Sequence, residues 1–313
     1  MAFSATDAAF EGFRLARRRP LTVVALSVLT MISSFGSYWI MDASGYMQAA
    51  TALNAAGPSP DPSQVMAMLG PMANFFLGLA LMGCVLTAIQ AAAIYRGVLR
   101  PDDHGFLGLS LGADEFRLFG LGLIVVLLAF LGYILAVVVL AIVVGIAGAG
   151  AVMSNGGGGA MGASFVLIFV GIVGILAGFV AVGVKLSFAG PATLASRRLT
   201  VFGSWSMTRS HFWSLVGCYV LSYFLALLVG FIMFVVALIV ASLTTGTPFA
   251  AAAGEFFQSG KGAPVELFSP VRIVYTLVAG LFGGLLNMVV MAPAAEAYRQ
   301  ICLPGTSQAE TFA

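Results

Sequence analysis

Charge is scarce in this sequence. Asp, Glu, Lys and Arg together make up 8% of 313 residues, with two histidines and three cysteines. A soluble domain of this length needs a charged surface, and a mean hydropathy of +1.05 excludes the chain from that class. The bilayer is its solvent. The cysteines, Cys84, Cys218 and Cys302, are odd in number and show no CxxC spacing, so no disulfide framework is predicted. Ion-coupled carriers generally place an acid, a base or a histidine within the membrane. None falls at mid-depth of the apolar runs here.

What is present is apolar length. A helix rising 1.5 Å per residue needs about 20 residues to cross about 30 Å of hydrocarbon. Five tracts qualify: Leu21 to Met41, Pro71 to Tyr95, Leu118 to Val184, Phe212 to Gly254, and Ile273 to Ala295. The third is too long for one span and is cut by "SNGGGG", Ser154 to Gly159, where consecutive glycines permit a turn. The prediction is an all-α, polytopic bundle of six transmembrane helices in one membrane domain over residues 1–313. The spans lie near 21–41, 71–95, 119–146, 164–184, 214–242 and 273–295. Leu21 to Met41 is too long for a signal core and is read as a retained span.

Orientation follows from Lys and Arg, which favour cytoplasmic loops. With both termini cytoplasmic, all of the 14 basic residues except Lys261 and Arg272 lie inside.

The loop between the fourth and fifth spans is the most polar passage, "SFAGPATLASRRLTVFGSWSMTRSHFWSL", Ser187 to Leu215. It predicts an interfacial helix capped by Thr200, with Val201, Phe202, Trp205, Phe212 and Trp213 on one face and Ser206 and Ser210 opposite. Related lead-ins stand before the first and third spans: "FEGFRLARRRP", Phe10 to Pro20, and "GADEFRLFGLG", Gly112 to Gly122. The exits of the even spans also correspond, as "QAAAIYR" at Arg96, "PATLASR" at Arg197 and "PAAEAYR" at Arg299. The recurrence at about 100 residues suggests three related hairpins with cytoplasmic interfacial helices, although short alanine-rich matches also arise by chance. If the hairpins are equivalent, Arg96, Arg197 and Arg299 form a cationic rim suited to anionic headgroups.

The segment Lys185 to Gly217 resembles a pattern in bacterial multi-span membrane domains fused to some glycerophosphodiester phosphodiesterases, and in their stand-alone relatives. A small-residue and proline exit there precedes an amphipathic W-x-L-T-R-x-x-F-W segment. Trp205, Thr208, Arg209, Phe212 and Trp213 match, and Met207 replaces the leucine. The resemblance implies a polytopic domain in the bacterial cytoplasmic membrane. No stretch of this chain is long and polar enough for the soluble phosphodiesterase barrel, so hydrolysis does not carry over.

The sequence carries no catalytic signature. "GGGAMG", Gly157 to Gly162, matches GxGxxG but follows no strand. Asp102, Asp103 and His104 are consecutive loop residues, whose side chains rarely converge on one metal ion. Asp114 and Glu115 read as first-turn acids, and Ser210 with His211 lack a nucleophile motif. Met66, Met68 and Met72 offer thioethers to Cu(I), but read as packing methionines. "GPSPDP", Gly57 to Pro62, reads as a stiff spacer, and "TPFAAAAGEFF", with Phe249, Phe256 and Phe257, as a short surface helix. Gln90 and Asn287 are the leading intramembrane polar side chains, with Asn74 and Thr87 behind them. Gly174 with Gly178, and Gly280 with Gly284, supply GxxxG faces. No catalytic residue, cofactor or metal is expected, and no nucleic-acid partner.

The functional expectation is a non-enzymatic membrane protein that organises or binds lipid or protein partners. Arg96, Arg197, Arg299, Trp205, Arg209, Phe212 and Trp213 are the candidate contacts. The alternative is a permease or channel for an uncharged or lipid-like solute, with Gln90 and Asn287 lining its path. An intramembrane enzyme is the third reading.

Overall fold

A computed structural model describes residues 3–55, 57, 61–101, 112–153, 158–257 and 268–303. Asp102, Asp103, His104, Lys261 and most of "SNGGGG" lie outside the described residues. All regular structure among those described is helical, and six helices are long and apolar enough to cross a membrane, as the apolar runs predict.

Local signals start and stop these helices. In α1 (Ala5–Arg18), Ser4 caps the N-terminus by accepting from the Asp7 amide at 3.3 Å. Arg19 breaks the chain and Pro20 opens α2 (Pro20–Ala43), where the missing proline N–H costs nothing. The short helix α3 (Tyr46–Ala55) leads to α4 (Pro62–Leu99), and Tyr46 stacks on Phe75 with centroids 4.7 Å apart. The second span was expected to begin at Pro71. A capping box of Asp61 and Gln64, with proline at the first turn, instead starts the helix at Pro62, and Pro71 is carried inside it. Met66 and Met68 then sit two residues apart on a helix and face different ways, so the methionine array does not converge.

The third and fourth spans are α5 (Ala113–Met153) and α6 (Gly158–Leu186). The lead-in "GADEFRLFGLG" is not a separate interfacial helix; it forms the first turns of α5. After α6 a two-residue break precedes α7 (Ala189–Ser196). The predicted interfacial helix is shorter than expected, comprising α8 (Gly203–Thr208) and a 3-10 turn over Arg209–His211. Thr200 does not cap it, because its amide is donated back to Thr193 Oγ1 at 3.1 Å and its hydroxyl to Arg198 O at 3.1 Å. Phe212 and Trp213 belong instead to the first turn of α9 (Phe212–Thr245).

Beyond α9, Gly246 takes a left-handed φ of 70° and turns the chain into α10 (Phe249–Phe257). Ala252 of this short helix packs on Ala241 and Val271. The last span, α11 (Pro270–Cys302), is capped by Ser269.

The helix α11 is the hub and packs on α9, α2, α1 and α4. Its contact with α2 is close because glycines face that helix. A Cβ at Gly280 would collide with Met31, and one at Gly284 with the Val23 carbonyl oxygen. Ser27 ties the crossing by donating to Leu281 O at 2.7 Å and accepting from the Gly284 amide at 3.2 Å. The other predicted GxxxG face is not used within the chain, since a Cβ at Gly174 or Gly178 would meet nothing within 4 Å. The hairpin of α5 and α6 presents most of its apolar surface outward, as helices facing lipid do.

Candidate functional site

The exits of the three even spans meet at one end of the bundle. The ends of α4 and α11 pack on each other, and both pack on α7, which continues α6. The alanine-rich exits make this possible, because small side chains let helices approach closely. Ala91, Ala92, Ala93, Ala192, Ala292 and Ala295 are all buried there. Phe188 closes against Tyr298 edge to face, with centroids 5.7 Å apart.

Around this centre a lead-in lies against each exit, the first lead-in closing on the last exit. The helix α1 packs on α11, the start of α5 on α4, and α8 on α6. Leu15 and Leu118, which follow the two Phe-Arg pairs, are both buried. The face so formed carries the predicted rim arginines, but in three different environments.

At the first junction, Arg96 is 6% exposed and forms a buried ion pair with Glu115, while its Nε donates to Ala92 O at 3.3 Å. Arg100 and Arg117 share Asp114 at 3.3 and 2.8 Å, and Arg100 also donates to Leu194 O at 2.8 Å. Arg96 is therefore an internal strut, not an outward-facing rim group. At the second junction, Arg299 pairs with Glu296 at 3.0 Å, and Gln300 donates to the same carboxylate at 2.8 Å. Glu11 of α1 is buried close by and takes Arg14 at 2.7 Å and Arg18 at 3.7 Å. Burial, and then the Glu296 charge, push the Glu11 carboxyl above its ordinary range; Arg14 and Arg18 only partly oppose this.

The third junction differs. Arg197 ends α7 in a left-handed conformation, φ 55°, which is uncommon for a residue other than glycine, and its side chain is exposed. Arg198 and Arg209 are exposed too, and none of the three meets an acid among the described residues. No Asp or Glu occurs between Glu115 and Glu255. Ser204 and Thr208 bury one side of α8, whereas Phe202, Trp205 and Trp213 are exposed, Trp213 by 80%. Phe212 is half-buried against the core around Phe188. The Lys185 ammonium stands 4.2 Å over the Trp205 ring and joins α8 to the end of α6.

The intramembrane polar candidates do not meet in a passage. Asn287 Nδ2 donates to Thr30 Oγ1 at 3.0 Å across the contact of α2 and α11, and Gln90 is buried on α4. A groove of about 450 Å³ runs between α4 and α5 above the break after α6. Leu79, Ala88, Leu121 and Val125 line it with Thr87, and neither Gln90 nor Asn287 does. Ser210 Oγ and His211 Nδ1 lie 2.9 Å apart in the open, with no acid on the ring among the described residues. Among the described residues no three His, Cys, Asp or Glu side chains gather where they could hold a metal.

Sequence reasoning passed over Glu11 and Glu296, and it read Glu115 only as a first-turn acid, not as the partner of Arg96. A signal for two of the acidic positions was present. Glu11 precedes Arg14, and Asp114 precedes Arg117, by three residues, the spacing of neighbours on one helix face.

The fold and this face define a six-span helical membrane protein in which Arg197, Arg198 and Arg209, at one of three similar junctions, are exposed and meet no acid among the described residues. No family model, curated protein or solved structure matches the chain.

Proposed function

We propose that this chain is a non-enzymatic multi-pass protein of the bacterial cytoplasmic membrane that organises anionic lipids at its basic face, with both termini on the cytoplasmic side. One contrast carries the reading: Arg96 and Arg299 are paired with Glu115 and Glu296, while Arg197, Arg198 and Arg209 are exposed and meet no acid among the described residues, beside Phe202, Trp205 and Trp213. Each basic group near an anionic leaflet contributes about 1 kcal/mol, and a buried large apolar ring about 1.5 to 3 kcal/mol. Cations and rings on one short segment therefore act together at headgroup depth. The resemblance to the phosphodiesterase-linked membrane domains belongs to the same reading, since Trp205, Arg209 and Trp213 of that motif are exposed. The bonding of Asn287 to Thr30, and the absence of Gln90 and Asn287 from the groove, favour an organiser over a permease.

Hydrogen exchange in nanodiscs tests the proposal. Amides of residues 198–211 should slow when phosphatidylglycerol is added to phosphatidylcholine, and changing Trp205 and Trp213 to serine should remove the effect. Exchange that ignores phosphatidylglycerol overturns it.

A further inference from the structure

We propose that the third junction is a binding site for a phosphate-bearing anion, held by Arg197, Arg198 and Arg209 where the other two junctions use glutamates of the chain itself. The site rests on the reading that the basic face meets anionic lipid, and it narrows that reading to one place and one chemical class.

Arg96, Arg197 and Arg299 end three similar exits, and those exits pack against one another at one end of the bundle. A lead-in from another hairpin lies across each exit, α1 of the first hairpin lying on the last exit. Arg96 has Glu115 from its lead-in; Arg299 has Glu296, with Glu11 of its lead-in alongside. Arg197 has no such partner among the described residues. The lead-in arginines repeat the contrast. Arg14 and Arg117 each have an acid three residues earlier on the same helix, whereas the residue three before Arg209 is Ser206. The third junction thus repeats the cations of the other two without their counter-charge.

The local structure holds these cations outward. Ser196 Oγ donates to Ala192 O at 2.7 Å and accepts from the Arg198 amide at 3.4 Å, and the Thr200 amide donates to Thr193 Oγ1 at 3.1 Å. The turn is therefore fixed by serine and threonine, and the guanidinium groups take no part. A guanidinium fork matches two phosphate oxygens, and its charge strengthens both bonds. Trp205, seated under Lys185, and Trp213 border the same segment with rings suited to the headgroup layer. Phosphate oxygens are the class of acceptor that fits. They come either from a lipid headgroup or from a soluble phosphate.

The test uses the full chain, purified in detergent, with native mass spectrometry against phosphatidylglycerol, phosphatidylcholine and inorganic phosphate. Four proteins are compared: wild type, the triple variant Arg197→Gln, Arg198→Gln, Arg209→Gln, the single variant Ser206→Glu, and Arg17→Gln as an exposed-arginine control. Wild type should retain phosphatidylglycerol over phosphatidylcholine. The triple variant should lose retention by about tenfold or more. Ser206→Glu keeps every arginine and places an acid beside Arg209, so it should also lose retention while its thermal unfolding stays unchanged. Arg17→Gln should behave as wild type. Retention that survives excess inorganic phosphate assigns the site to lipid; phosphate that binds and displaces the lipid assigns it to a soluble ligand. Equal loss from Arg17→Gln and the triple variant removes the site and leaves the basic face a general attractor. A wild type that holds phosphatidylcholine and phosphatidylglycerol equally, and no phosphate, removes both site and reading.

Discussion

Glu11 and Glu296 are two carboxylates buried beside each other where α1 lies on α11, with Asp7, Arg14, Arg18 and Arg299 around them. Because the Glu11 carboxyl is raised above its ordinary 4.5, docking of α1 favours its protonated form. That contribution is complete below the ordinary value and is lost as pH rises through the shifted one. Amide protection in Ala5–Arg18, corrected for intrinsic exchange, should fall over that interval, and Glu11→Gln should flatten the dependence. A second test concerns Arg96. Removing one partner of a buried pair leaves the other charge stranded, so Arg96→Gln should cost about 3 to 5 kcal/mol in unfolding free energy. The double change Arg96→Leu with Glu115→Leu should recover much of that loss. The arginines at Arg96, Arg197 and Arg299 were legible from their spacing alone. Their partners were not, because Glu115 reaches Arg96 from another helix, and spacing along the chain carries no record of which helix lies across which.

At the scale of helices, the two GxxxG faces make a paired prediction. Gly284→Ala drives a methyl into the Val23 carbonyl and should destabilise the bundle by about 1 to 3 kcal/mol. Gly178→Ala meets open space and should be neutral or stabilising, by up to about 1 kcal/mol, through helix propensity. Thermal unfolding in one detergent separates the two; equal effects would disprove the close crossing. The motif is the same in both helices, so sequence could nominate the faces but not choose between them. The six spans were readable because apolar length is a property of each segment by itself. Their boundaries were less so. Pro71 looked like a start, yet a proline inside a membrane helix is tolerated, and the stronger capping signal lay at Asp61. The interfacial helix was overestimated for a similar reason. Val201, Phe202, Trp205, Phe212 and Trp213 keep an amphipathic order, but Thr193 draws back the Thr200 amide and the helix begins only at Gly203.

For the molecule as a whole, the lead-ins and the exits of the even spans share one end of the bundle, so sidedness reduces to one question. In a cysteine-free background, a cysteine at Ser63 should react with an impermeant thiol reagent added outside intact cells, and one at Ser206 should not. Labelling at Ser206 would reverse the proposed orientation. The closure of α1 on α11 has a temporal consequence. Gly12 sits so tightly on Val289 that an added Cβ would lie 2.5 Å from its Cα, and the Ser4 amide donates to Gln300 at 3.1 Å. During synthesis α1 leaves the ribosome long before the surface that receives it exists, and it must wait at the membrane while five spans are laid down. Chains halted after α9 should therefore leave Ala5–Arg18 open to protease, and protection should arrive only when α11 is released. The earliest helix is then the last to be secured, and its docking reports that the bundle is complete.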